Sequence, residues 1–221
     1  MLILSAISAC GNDQDPIVVS VASSQTDVFE TIAPAVEASV GGRPIDLNFG
    51  GSTTLINQVN TGAPVDIIIV ADQIAADAVE TTVDDQVVVA DNHLVAIAAP
   101  DIMVDELADL DDELIVVACD PSVPCGRLTE VWFDQAQATV EIDSLEQNVR
   151  QVRARVESGE ADVGFVYEAD AQDLERAVVA LTAPPEVMSQ SIAVRLTDDD
   201  AVAEAFTQLV AAARSENGLT P

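Results

Sequence analysis

The sequence predicts an α/β fold, and three observations carry that reading. Short apolar runs recur along the 221 residues, and segments with apolar residues at helical spacing separate most of them. Several of the runs end in hydroxyl- or glycine-rich turns that open the next helix. Hydrophobic residues make up 49% of the chain and aromatic ones only 3%, so the core must be aliphatic. Strands alternating with helices in this way are expected to pair in parallel. The length allows one large domain or two smaller lobes.

Residues 17–22 (IVVSVA) read as a buried strand, ended by the hydroxyl turn Ser23-Ser24-Gln25-Thr26-Asp27. A helical stripe of Val28, Phe29, Ile32 and Val36 follows, and a second strand covers 45–49. That strand breaks at Gly50-Gly51, and Ser52-Thr53-Thr54 opens a helix carrying Leu55, Ile56 and Val59. The glycine pair lets the backbone pass close to a ligand, and Ser52 or Thr53 caps the helix. The N–H groups of its first turn then face an anion site built without a positive side chain. Taken alone, a hydroxyl after glycine is most often only a cap. Gly62-Ala63-Pro64 closes this helix, 65–70 is a strand and 73–80 a helix. Two separate strands are expected at 87–89 and 94–98, a short acidic helix at 102–111 and a buried strand at 114–118. The loop CDPSVPCG leads into a helix near 128–136. A helix at 148–158 places Val149, Val152 and Val156 on one face, and Gly159-Glu160 breaks it before the strand 163–167 (VGFVY). Strands at 177–181 and 191–196 and a helix at 202–213 complete the chain.

Charge narrows the partners. The chain has 39 acidic residues against 8 basic ones, all arginine, for a net charge of −31. Nucleic acid and anionic membrane surfaces both need a cationic footprint, so neither is expected as a partner. The acidic residues are dispersed through patterned segments, which reads as a solvated acidic surface rather than a disordered tail. Residues 1–9 (MLILSAISA) are apolar and end in small residues directly before Cys10. Ile7-Ser8-Ala9-Cys10-Gly11 resembles a bacterial lipobox, which implies cleavage before Cys10 and a lipid on it, the chain's one contact with the membrane. The other reading is a secretory signal with an incidental cysteine. Either way the domain is exported, with 12–15 as a polar tether. Export makes Cys119 and Cys125 a candidate disulfide closing CDPSVPC. A metal held at that spacing would lack further ligands, since no histidine or other cysteine lies near it. The single histidine, His93, stands at the start of an apolar strand. Beyond the N-terminus no stretch is long and apolar enough to span a membrane.

In sheets of this kind ligands bind beyond the carboxyl ends of strands. Ser24, Ser52, the turn Pro124-Cys125-Gly126 and the helix start Asn148-Val149 all lie at such ends, and Tyr167 adds a phenolic hydroxyl. A converging set of neutral donors suits a fully ionised oxyanion, each hydrogen bond to it being worth roughly 1.5–3 kcal/mol. The segments ASSQTD, FGGSTTLINQVNTGAPVDIIIVAD, DNHLVAIAAP, CDPSVPCGR, QNVRQVRARVESGEADVGFVYEADA and AFTQLV resemble, in order, the periplasmic molybdate-binding proteins of bacterial ABC transporters, of the type II periplasmic-binding-protein family.

The resemblance implies a two-lobed fold, each lobe a mixed sheet flanked by helices, with the ligand in the cleft between them. Residues 1–15 would be signal remnant and tether, 16–90 plus 188–221 the first lobe, and 91–187 the second. It implies molybdate or tungstate as ligand, with no cofactor, no bare metal cation and no catalytic residue. The donors it implies are the hydroxyls of Ser24, Ser52 and Tyr167 and the backbone N–H groups of Cys125 and Val149. Cys125 stands where alanine is common, and Gly51 where some relatives carry serine; Ser23 is a neighbouring hydroxyl that the pattern does not rank against Ser24. The implied partner is a membrane permease, and the implied state a monomer outside the cytoplasm. The alternatives are a receptor for another oxyanion or small organic anion and, from a different class, a secreted hydrolase. No set of nucleophile, base and orienting group supports the hydrolase. Asp66 and Asp170 read as turn or cap residues, and Arg150, Arg153 and Arg155 as partners for the acidic surface.

Overall fold

The computed structural model describes residues 15–81, 85–111 and 113–219, so the lipidation site expected at Cys10 lies outside the described residues. The first part of the chain runs β1 (Ile17–Ala22), α1 (Thr26–Ser39), β2 (Ile45–Gly50), α2 (Ser52–Asn60), β3 (Ile67–Val70), α3 (Gln73–Asp77) and β4 (Asp85–Ala98). It continues through β5 (Val116–Cys119), α4 (Pro124–Ala136), β6 (Ser144–Glu146), α5 (Val149–Ser158), β7 (Val163–Tyr167), β8 (Val178–Thr182), β9 (Met188–Arg195) and α6 (Asp200–Glu216).

The strands form one curled sheet in the order β2-β1-β3-β9-β4-β7-β5-β6, with β8 also on β4. The 14-residue β4 is the joint between two lobes. Its first part, from Asp85 to His93, pairs with β9, and its last five residues pair with β7 and β8. β1 pairs in parallel with β2 and β3, and β5 with β6 and β7, as the βα pattern predicts. The expectation of parallel pairing fails at β3–β9, β4–β9, β4–β7 and β4–β8, which are antiparallel. Parallel neighbours need a crossover, usually a helix, whereas β4 and β9 run against their neighbours as they carry the chain between lobes.

Other departures have local causes. The two strands expected at 87–89 and 94–98 are one, because the polar Asp91-Asn92-His93 stays in the ladder. Asn92 is only 2% exposed, and its amide donates to the Ala71 carbonyl and to Ser191 Oγ. The helix expected at 102–111 is a single 3-10 turn, Leu107–Asp109, opened by a capping box in which the Asp109 carboxylate accepts from the N–H groups of Asp105 and Glu106. The short edge strand β6 was not expected, since its only apolar residue, Leu145, is exposed. α4 starts at Pro124 rather than near 128, which moves Cys125 from a loop into a helical turn.

Both faces of the first lobe's sheet are covered, which is why β3 reads as a continuous apolar run. Ile67 and Ile69 pack with Phe29, Ile32, Phe206 and Leu209 of α1 and α6. Ile68 and Val70 point the other way, onto Leu55, Ile56 and Val59 of α2. The second lobe has one core, in which Trp132 and Phe133 meet Phe165 edge-on at centroid distances of 5.6 and 5.0 Å. Burying each large aliphatic side chain contributes about 1.5–3 kcal/mol, and Ala22 and Ala71, just at the ends of β1 and β3, join the second lobe's core.

Candidate functional site

The carboxyl ends of β1, β2, β3, β5, β6 and β7 all turn toward the gap between the lobes. There they enclose a cavity of about 20 Å³, lined by Ser24, Ser52, Cys125, Val149 and Tyr167 together with Gly51, Ala71 and Asn148. The five residues that the sequence singled out therefore meet at one place. No arginine lines this cavity. A wider groove of about 1190 Å³ shares Ser24 and opens past Arg150 and Arg153, with acidic groups of both lobes around it.

The first lobe brings hydroxyls. α2 is not capped by Ser52 or Thr53 as expected: its N-cap is Gly51, extended at φ −68° and ψ 138°, with no side-chain cap. Ser52 is instead the first helical residue, and its Oγ accepts from the Ala71 N–H at 3.1 Å. With an acceptor lone pair so occupied, the Ser52 hydroxyl hydrogen is free to donate into the cavity. Ser24 lies in the 3-10 turn Ser23–Gln25 that follows β1. Its Oγ is buried and finds no hydrogen-bond partner among the described residues.

The second lobe brings mostly peptide groups. Pro124 is the first residue of α4 and has no N–H, so Cys125 carries the helix's first donor. Val149 opens α5 behind the N-cap Asn148, whose Oδ1 accepts from the Gln151 N–H at 3.1 Å. First-turn N–H groups have no acceptor within their own helix. The N-termini of α2, α4 and α5 therefore converge on the cavity with their partial positive charge. Tyr167 ends β7, 1% exposed, and its hydroxyl, near Ser189, also makes no hydrogen bond within 3.5 Å among the described residues. Burial, helped by the nearby Asp72 carboxylate, pushes the phenol far above its usual value and keeps it a neutral donor. Leaving such a group buried and unpaired costs roughly 1–3 kcal/mol. Two of them facing one cavity mark a place shaped for an acceptor.

Cys119 and Cys125 are disulfide-bonded, which ties the end of β5 to the first turn of α4. The same turn is pressed onto the loop before it: a Cβ at position 126 would stand 2.0 Å from the Asp120 carbonyl oxygen, so only glycine fits. Gly51 has a related role. A Cβ there would lie 2.7 Å from the Gln147 carbonyl oxygen of the opposite lobe, so the close approach expected at the glycine pair is made to protein as well as to the cavity.

Charged groups surround the cavity without entering it. Arg150 donates to the Ser23 carbonyl at 2.8 Å and to the Asp27 carboxylate, while Arg155 pairs with Glu146 and Glu160, all as partners for acidic or carbonyl oxygen. Arg153 donates to the Asp173 carbonyl at 3.0 Å. Asp66 anchors a turn by accepting from the Val18 N–H. Asp170, in the turn after Tyr167, is buried, and desolvation raises its pKa to about 7 against the pull of Arg150. Arg127 and Asp72 form a further pair that the sequence did not flag; the only signal was the arginine two positions after Cys125. Among the described residues no group of three or more His, Cys, Asp or Glu side chains is placed to hold a metal, and no helix is long and apolar enough to cross a membrane.

Two lobes joined by a shared strand, with neutral donors gathered at the strand ends between them, define a solute-binding protein. Residues 17–220 match the family described as bacterial extracellular solute-binding protein, and the chain belongs to that family. It is 30% identical to the molybdate-binding protein ModA of Mycobacterium tuberculosis over 234 residues, covering 96% of this chain and 90% of that protein. The periplasmic molybdate-binding protein of Azotobacter vinelandii has the same fold, with a TM-score of 0.71 at 18% identity over 93% of this chain and 99% of its own. So does the sulfate-binding protein SubI of M. tuberculosis, with a TM-score of 0.73 at 13% identity over 91% and 82%. The two-lobed fold expected from the sequence is thus the one observed.

Proposed function

We propose that this chain captures molybdate or tungstate outside the cytoplasm and delivers it to the membrane permease of an ABC transporter, without catalysing a reaction. The observation that carries the reading is the cavity itself. Residues carrying three hydroxyls and two helix-terminal N–H groups line one small space, and two of those hydroxyls are buried without a hydrogen bond among the described residues, which supports the reading. Such a site offers donors and needs a fully ionised acceptor. Ser24, Ser52 and Tyr167 would donate through side chains, and Cys125 and Val149 through the backbone. The similarity to ModA supports molybdate over other oxyanions.

Cavity size would hold molybdate and tungstate against the smaller sulfate. Phosphate carries a proton near neutral pH and would find no acceptor for it in a donor-only site. The lobe boundaries we assign are 16–90 plus 188–221 and 91–187, which β4 and the start of β9 support. A lipid on Cys10 as the only membrane contact, and a monomeric state, complete the proposal. The fold shared with SubI makes sulfate the competing ligand to test.

A thermal-shift series with molybdate, tungstate, sulfate and phosphate tests this. Ligand at a hundredfold excess over Kd adds about 2.7 kcal/mol, a rise in melting temperature of about 5–10 °C for a chain of this size. That rise is expected for molybdate and tungstate. Turnover of a generic phosphate ester, or a rise with none of the four anions, would sink the proposal.

A further inference from the structure

The cavity lies between two acidic lobes. With 39 acidic residues against 8 arginines, closing the lobes around a doubly charged anion works against like charge. Two arginines of the second lobe cross the gap. Arg127, in the first turn of α4, donates from Nε and Nη2 to Asp72 Oδ2 of the first lobe at 3.0 and 2.7 Å. Asp72 directly follows Ala71, whose N–H holds Ser52. Arg150, the second residue of α5, donates from Nε to the carbonyl of Ser23 at 2.8 Å and from Nη2 to the Asp27 carboxylate.

Each crossing is therefore anchored within two residues of a cavity donor on the arginine's side: Arg127 near Cys125, Arg150 beside Val149. On the first lobe the anchors are equally near, with Ser23 beside Ser24 and Asp72 beside the peptide that orients Ser52. Neither arginine lines the small cavity. Between them, Gly51 and the Gln147 carbonyl touch with no room for a Cβ.

We propose that Arg127 and Arg150 are latches that set the closed state of the cleft and thereby the rate at which the anion leaves, acting as positioning residues that never touch it. The proposal rests on the oxyanion-binding reading above. Breaking a latch raises dissociation more than it slows association, because the contacts form only once the lobes meet. Arg127–Asp72 is the stronger latch, its side chains 26% and 11% exposed, against 32% and 71% for Arg150 and Asp27.

The test uses Arg127→Gln, Arg150→Gln and the double variant, which keep side-chain polarity and remove charge. Molybdate dissociation is followed by stopped flow, and melting is followed with and without ligand. The expected result is dissociation about 10-fold faster for Arg127→Gln and about 3-fold for Arg150→Gln, with unliganded melting within about 2 °C of wild type. An unchanged dissociation rate in the double variant overturns the proposal. So does unliganded melting that falls as far as liganded melting, since the pairs would then be braces of the fold. If the wild type fails to bind molybdate at all, the functional reading fails by itself. The latches are then judged by small-angle scattering without ligand, where a larger radius of gyration in the double variant supports them and an unchanged one overturns them.

Discussion

The two walls of the cavity donate by different means. In the proposed site the first lobe would use side chains, the hydroxyls of Ser24 and Ser52, whereas the second would use the peptide groups of Cys125 and Val149 with one side chain, Tyr167; all five line the cavity. Side-chain donors are deleted by one substitution. Backbone donors survive substitution and depend instead on the frame that aims them: Pro124, the Cys119–Cys125 bond, Gly126 pressed on Asp120, and the Asn148 cap. One wall is specified by chemistry and the other by shape.

Four substitutions at cavity residues test that contrast, and a fifth, at Asp170, tests a buried charge beside it. Ser52→Ala should do most harm, because it removes a donor and strands the Ala71 N–H. We expect affinity for molybdate to fall about 100-fold, the roughly 2.7 kcal/mol of a hydrogen bond to a charged group. Calorimetric melting should also show lower stability without ligand. Ser24→Ala and Tyr167→Phe should each lower affinity about 10- to 100-fold yet raise unliganded stability by about 1 kcal/mol, since each removes an unpaired buried hydroxyl. Loss of both affinity and stability would mean these hydroxyls brace the fold.

Asp170→Asn should leave affinity near wild type and act through pH. The folded carboxyl titrates near 7 and the unfolded one near its ordinary 3.8, so the folded state binds the extra proton between those values. Stability then falls as pH rises from about 4 to 7 and levels off above. The variant lacks that loss, so its melting temperature should gain on wild type across this window; parallel curves would contradict the assignment. Val149→Ala should have the smallest effect, about 3-fold or less in affinity, because its N–H is unchanged while little more than packing is lost.

The same contrast explains what was legible in the sequence. Hydroxyls at strand ends announce themselves, and Ser24, Ser52 and Tyr167 could be picked out from chemistry and position. The turn Pro124-Cys125-Gly126 and the helix start Asn148-Val149 stand out by position as well, but singling out Cys125 and Val149 within them took the family resemblance, since their side chains say nothing about a backbone donor. Ser52 was expected as a helix cap because sequence spacing cannot reveal Ala71, 19 positions away, as the group it binds. Arg127 with Asp72 was invisible for the same reason, the pair being 55 positions apart and joined only when the lobes meet. The shared strand β4 was split in the reading because Asp91-Asn92-His93 is polar, and the partners that bury Asn92 come from β9 and from the end of β3. Periodicity reports one element's own faces; it is silent on what a second lobe brings to them.

The most direct test of the proposed molybdate site is titration calorimetry of the purified chain with molybdate and with sulfate. One site binding molybdate at least about 100-fold more tightly than sulfate is the predicted result. Equal affinity for the two would contradict it.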